Sequence, residues 1–275
     1  MKSINCKGNL IDFTTPKVMG ILNVTPDSFF DGGKFQNEKS ILLHVENMLS
    51  EGATFIDVGA YSSRPGAKHI SEKEELDRIL PIVTLLVKKF PEILLSIDTF
   101  RSEIAKQCIE AGACLINDIA AGSMDENMFK TVAKLQVPYI LMHMQGTPQN
   151  MQANPTYKNV TTEVIYYFSE KLAKLRALGV NDLIIDVGFG FGKTTAHNFE
   201  LLKNLSFFKS LDVPILAGLS RKSMLYKTLN NTQNEALNAT TSANTIALLK
   251  GANILRVHDV KEAVEAIKIV NQLAI

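Results

Sequence analysis

Leu183-Ile184-Ile185-Asp186-Val187-Gly188-Phe189-Gly190-Phe191-Gly192-Lys193-Thr194 is the stretch on which the fold turns. A short apolar run, too brief for a helix, ends in a carboxylate and enters a glycine-rich turn ahead of a helical pattern. A buried parallel strand reads this way where it hands the chain to a helix. The carboxylate is the informative residue, because an unpaired polar group at a buried strand end costs roughly 1–3 kcal/mol.

Outward from this stretch the same design recurs. Apolar runs occupy Val18–Leu22, Thr54–Val58, Leu94–Ile97, Leu115–Ile116, Tyr139–Met142, Ile215–Ala217 and Ile254–Val257. Stretches with helical period lie between them: Ile41–Glu51, Leu76–Lys89, Ser102–Ala111, Glu126–Leu135, Val160–Leu178, Phe199–Phe208, Leu237–Lys250 and Lys261–Gln272. Strands alternating with helices imply parallel βα units. A closed α/β barrel needs about 250 residues, and this chain has 275. The expected fold is a (β/α)8 TIM barrel, a single domain over residues 1–275, preceded by a short β-hairpin over Ile4–Phe13. An open doubly wound sheet is the competing arrangement.

Polar residues stand at or just past the end of each strand: Asn23, Asp57 within the end of its run, Asp98, Asn117-Asp118, His143, Asp186, then Ser220 with Lys222, and finally Arg256 and His258 straddling the last end. In βα-barrels the carboxyl ends of the strands form the rim where ligands bind, so the set predicts one polar pocket. The competing explanation is helix capping, which also favours Asp, Asn and Ser. His143 lies on this rim with no role assigned to it.

Composition narrows the function. Lys and Arg total 29 against 28 Asp and Glu, for a formal net charge of +1. Without a concentrated positive field, a nucleic-acid or membrane-surface partner is not expected. An anionic ligand must instead be met by a local cluster. The cysteines Cys6, Cys108 and Cys114 form no CxxC pair, which suits a reducing compartment. No apolar run reaches the length of a membrane span. A soluble cytoplasmic protein is expected.

Two loops at the expected active face are long and rich in Gly and Pro: Asn23-Val24-Thr25-Pro26-Asp27-Ser28-Phe29-Phe30-Asp31-Gly32-Gly33 and Ser62-Ser63-Arg64-Pro65-Gly66-Ala67. Such loops suggest lids. Together with LSIDTFR, LINDIA, DVGFGFGKT, AGLSRKS and RVHDV, in order over residues 18–260, they resemble the dihydropteroate synthases. That resemblance implies 6-hydroxymethyl-7,8-dihydropterin pyrophosphate and 4-aminobenzoate as substrates, and 7,8-dihydropteroate and pyrophosphate as products. It also implies Mg2+ and a homodimer, formed through the last helices, where Leu248, Val264, Ile267 and Val270 line an apolar stripe that packing onto the barrel explains equally well.

The roles that the resemblance implies make chemical sense. Asp98, Asn117 and Asp186 would meet the pterin edge, since a buried carboxylate is a bidentate acceptor for adjacent N–H donors. Lys222 would donate to the ring, and Arg256 would give it a flat cationic face. Asn23, Arg256 and His258 would hold the pyrophosphate, with Asn23 also an Mg2+ ligand. Phe29, Ser63, Pro65, Phe191, Ser220 and Lys222 would form the aminobenzoate pocket, for which sulfonamides would compete. Arg64 is expected to order its loop. Asp31, Lys222, Arg256 and His258 would be catalytic in an SN1-like loss of pyrophosphate, Asp31 stabilising the pterin cation. Tyr61, Ser63 and Val187 depart from the family's usual Glu, Thr and Pro.

Gly188–Thr194 is not a phosphate-binding P-loop, because Val187 stands where the first glycine is required. Lys193 and Thr194 are expected to open the next helix. Two other functions compete: a methyltetrahydrofolate-dependent methyltransferase built on a similar pterin barrel, and a non-catalytic pterin-binding homologue.

Overall fold

A computed structural model describes residues 3–24, 34–63 and 69–273, with only the backbone of residues 34–37. The chain opens with an antiparallel hairpin, β1 (Ser3–Cys6) and β2 (Asn9–Asp12). Lys7 and Gly8 turn the corner with φ of 52° and 83°, the positive pair that a tight two-residue hairpin requires.

Eight parallel strands then close into a barrel. They are β3 (Lys17–Asn23), β4 (Phe55–Gly59), β5 (Leu95–Asp98), β6 (Leu115–Asp118), β7 (Tyr139–Met142), β8 (Leu183–Asp186), β9 (Ile215–Ala217) and β10 (Ile254–Val257). β10 pairs with β3 and completes the circle. Around them run α1 (Lys34–Ser50), α2 (Glu72–Lys89), α3 (Ser102–Glu110), α4 (Met128–Leu135), α5 (Val160–Ala177), α6 (Thr195–Lys203), α7 (Ser223–Thr228), α8 (Leu237–Leu249) and α9 (Val260–Asn271). The barrel and the hairpin are as expected, and the open sheet is excluded.

Each helix lays one stripe on the barrel. On α5, Val160, Val164, Phe168, Leu172 and Leu175 are buried at the spacing of one helical face. The stripe read as a dimer surface on the last helices is largely used inside the chain: Leu248, Ile267 and Val270 are buried in the barrel–helix core. The large apolar residues that α8 and α9 expose are Leu237, Ile246, Leu249 and Ile269. Sequence periodicity also ran one helix over Phe199–Phe208; the chain instead ends α6 at Lys203 and continues as a 3-10 turn, Leu205–Leu211.

Inside the barrel, side chains alternate between lumen and helix layer. Met19, Phe55, Leu115, Ile140, Ile184, Leu216 and Ile254 form a dry lower tier, and Ile4, Cys6 and Phe13 of the hairpin segment pack against it from below. Two residues further along the same strands stand Ile21, Asp57, Asn117, Met142, Asp186, Gly218 and Arg256. One step of the pleat thus changes an oily plug into a polar floor. No described helix is long and apolar enough to cross a membrane.

Candidate active site

Arg256 is the centre of the polar floor. Its Nε donates to Asp57 Oδ2 at 2.6 Å and its Nη2 to Asp98 Oδ2 at 2.7 Å, so one guanidinium spans β10, β4 and β5. Asn117 Nδ2 donates to the same Asp57 oxygen at 2.9 Å. Burial pulls the Arg256 pKa down, but Asp57 and Asp98 outweigh it and hold the pKa above its ordinary value. Burial raises Asp98 to about 7, opposed by Arg256 and reinforced by Asp57. Asp186 is also raised by burial, and its Oδ1 accepts the Gly188 N–H at 2.8 Å. Two buried polar atoms in this floor, Asp57 Oδ1 and Ser96 Oγ, have no partner among the described residues. They face inward from paired positions on β4 and β5.

Above the floor, Lys222 Nζ lies 4.4 Å from the centre of the Phe191 ring. Burial brings Lys222 down to about 8, with Asp186 acting against the shift and Arg256 adding to it. A Cβ at Gly190 would make only ordinary contact with the Lys222 chain, at 3.4 Å, so it is the positive φ of 82° that calls for glycine there. Beside them, Ser220 Oγ and His258 Nδ1 are 3.1 Å apart, and the His258 backbone N–H donates to the same hydroxyl at 3.2 Å. Burial, with the charge of Arg256, depresses His258 to about 4, so it is neutral at pH 7. Arg221 turns away and pairs with Asp259 at 2.6 Å.

The capping explanation for the strand-end carboxylates fails. Among the described residues, side-chain helix caps come from Ser71, Asn159, Thr194 and, at a 3-10 turn, Thr232, none of them a rim carboxylate. Asp118, next to the inward Asn117, faces the helix layer and accepts from Tyr139 Oη and the Ala120 and Gly122 amides.

Asp98, Asn117, Asp186, Lys222 and Arg256 therefore gather at one mouth, with Phe191, Ser220 and His258 above them. Asn23 ends β3 at the same mouth, paired with Gly59, which in turn pairs with Asp98. Ser63 is half-buried, with no side-chain hydrogen bond among the described residues. Phe29, Asp31 and Pro65 lie outside the described residues, as does Arg64. Tyr61 is buried on the edge of Phe100, and its hydroxyl meets His69 Nδ1 at 3.1 Å and Gln149 Nε2 at 2.9 Å. Val187 is fully buried.

Sequence reasoning gave no role to two residues that the site uses. Asp57 joins Arg256 to Asn117, and its inward parity, two residues beyond Phe55, was a usable signal. Lys193 does not lead into the helix as expected. Thr194 caps α6, whereas the Lys193 ammonium is buried between the loops after β7 and β8.

A closed parallel barrel with basic and acidic groups converging at the carboxyl ends of its strands defines a βα-barrel enzyme of small polar substrates. The profile of the family described as "Pterin binding enzyme" matches residues 19–258, and the chain belongs to that family. It is 43% identical to the dihydropteroate synthase of Escherichia coli (strain K12), over 96% of this chain and 94% of that protein. A Yersinia pestis dihydropteroate synthase solved with a sulfonamide drug superposes with a TM-score of 0.92 at 44% identity, covering 99% of both chains. The Xanthomonas albilineans dihydropteroate synthase solved with 4-aminobenzoic acid gives 0.92 at 37% identity, over 99% of this chain and 98% of that one.

Proposed function

We propose that this protein catalyses the dihydropteroate synthase reaction, joining 6-hydroxymethyl-7,8-dihydropterin pyrophosphate to 4-aminobenzoate. The convergence of Asp98, Asn117, Asp186, Lys222 and Arg256 at one mouth carries the reading. The aminopyrimidine edge of the pterin presents N–H donors to carboxylates and an acceptor to Lys222, while Arg256 stacks on the ring face. Phe191 and Ser220 receive the ring and carboxylate of aminobenzoate, alongside Ser63, Phe29 and Pro65.

In the reaction the C–O bond from the pterin methylene to pyrophosphate breaks, and the electron pair leaves with the phosphate oxygen. The neutral arylamine nitrogen then bonds to the methylene carbon and releases a proton. An arylamine needs no strong base near pH 7, so the burden falls on the departing anion. Arg256 and the neutral His258 donate to it, in a pocket where low dielectric strengthens each contact. Asp31 stabilises the cationic pterin in an SN1-like path. Asn23 fits an Mg2+ role: it offers one hard oxygen at the mouth, and no group of three His, Cys, Asp or Glu competes for a metal among the described residues. When bound, Mg2+ neutralises charge on the pyrophosphate. A homodimer through the last helices would draw on the apolar residues exposed there, Leu237, Ile246, Leu249 and Ile269, and light scattering tests it.

The direct test supplies both substrates and Mg2+ and follows 7,8-dihydropteroate and pyrophosphate. Stoichiometric formation of both is expected, with competition by sulfonamides against aminobenzoate. Pterin binding without product would favour the non-catalytic alternative. Methyl transfer from methyltetrahydrofolate would favour the other.

A further inference from the structure

The turn after β8 contributes to both halves of the pocket. Gly188 holds Asp186 through its N–H at 2.8 Å, and Phe191 presents its ring to Lys222. Yet the turn has little stiffness of its own. Gly188, Gly190 and Gly192 all have positive φ, of 70°, 82° and 62°, and glycine is the residue with most backbone freedom to lose. Neighbouring side chains hold its middle and far end: the Gly190 N–H donates to Asn198 Oδ1 at 2.7 Å, and Gln152 Nε2 and Tyr157 Oη donate to the Gly190 and Gly192 carbonyls at 2.5 and 2.7 Å.

Lys193 is only 2% exposed, and among the described residues no carboxylate pairs with it. Its Nζ donates to the carbonyls of Gly188 at 3.0 Å and Phe191 at 2.9 Å, both in the turn. On the far side it reaches the His143 carbonyl at 3.2 Å and His143 Nδ1 at 2.9 Å, at the end of β7. Burial and the nearby Lys193 charge depress His143 to about 2. The imidazole is therefore neutral, and its Nε2–H tautomer leaves Nδ1 to accept. Burial brings Lys193 itself down to about 7; in the ammonium form its three N–H groups are shared among four acceptors on two loops. The same turn approaches the β7 loop so closely that a Cβ on Gly188 would stand 2.0 Å from the His143 oxygen, and one on Gly192 2.5 Å from the Gln145 oxygen.

We propose that Lys193 is a positioning residue whose buried ammonium fastens the Gly188–Gly192 turn to the end of β7 and so fixes Asp186 and Phe191 together. It touches neither ligand. The claim rests on the reading of Asp186 as a pterin contact and Phe191 as an aminobenzoate contact, and it adds a shared support to the two. Removing that support weakens both ligands at once, whereas a contact residue weakens its own.

Lys193→Met keeps the aliphatic chain and deletes the ammonium. Titration of the folded variant with pterin pyrophosphate and Mg2+, then with aminobenzoate, is expected to show both dissociation constants raised at least tenfold, while Phe191→Ala raises only the second. Constants within twofold of the unaltered protein would overturn the proposal. So would loss confined to one ligand. Hydrogen exchange gives a second measurement. The Phe191 N–H, which donates to the Gly188 carbonyl at 3.1 Å, should be protected in the unaltered protein and lose that protection in Lys193→Met, and equal protection in the two would overturn the claim. If the unaltered protein binds neither ligand, the functional reading falls, and the exchange data still decide the role of Lys193.

Discussion

Asp186 is the residue with which the sequence reading began, and it illustrates how much one position carries. It ends a strand, faces the lumen, and keeps an oxygen beyond its bond to Gly188. Its replacement by Asn preserves shape and removes charge. Hydrogen bonds to charged groups contribute about 1.5–3 kcal/mol, so Asp186→Asn should weaken pterin pyrophosphate binding roughly 10- to 100-fold by calorimetry. An unchanged constant would remove Asp186 from the pterin site. His143 gives a second prediction, on pH. Its folded pKa, about 2, lies below the ordinary value of 6.5, so the unfolded chain binds the extra proton first as pH falls. Stability from this residue is therefore complete above about pH 6.5 and declines as acid is added. His143→Gln can still accept from Lys193 and does not titrate. The gap in melting temperature between the two proteins should narrow from pH 7.5 to pH 5, and a constant gap would refute this assignment.

At the scale of the element, the turn between β8 and α6 separates glycine as conformational freedom from glycine as empty space. Gly179 and Gly188 both have positive φ, 79° and 70°. An added Cβ meets nothing within 4 Å at Gly179, but lies 2.0 Å from a backbone oxygen at Gly188. Gly179→Ala should cost about 1–2 kcal/mol, the penalty of the left-handed region alone. Gly188→Ala should cost more and also weaken both substrates, as denaturation and binding curves would show. Equal losses in the pair would mean that β7 yields easily. The strands and helices themselves were legible in the sequence, because Val, Ile and Leu runs closed by polar residues repeat around the whole barrel. The pocket floor was legible at Asp98, Asn117, Asp186, Lys222 and Arg256. What could not be read were the partners: nothing in the order of residues says that Arg256 reaches Asp57 on a strand 199 positions away, or that Lys193 leaves the helix start to hold a neighbouring loop. Those depend on loop conformations that periodicity does not encode.

Across the whole molecule, the barrel divides into a lower half that holds it together and an upper half that does its chemistry. Phe13 is 6% exposed and packs on the dry tier from below. Phe13→Ala should cost about 3 kcal/mol or more yet leave KM for both substrates unchanged, which melting and steady-state rates can check together. A shift in KM would mean that the two halves are coupled. The same plug has a kinetic corollary. With the underside stoppered by Ile4, Cys6 and Phe13, traffic through the lumen is one-way in and one-way out. On the proposed assignment, a molecule seated on the Phe191 shelf would stand between the deep pterin berth and the outside, like a cork above the contents of a bottle. Labelled pterin pyrophosphate should therefore escape more slowly once a sulfonamide has settled over it, and an unaltered escape rate would point to a back door beneath.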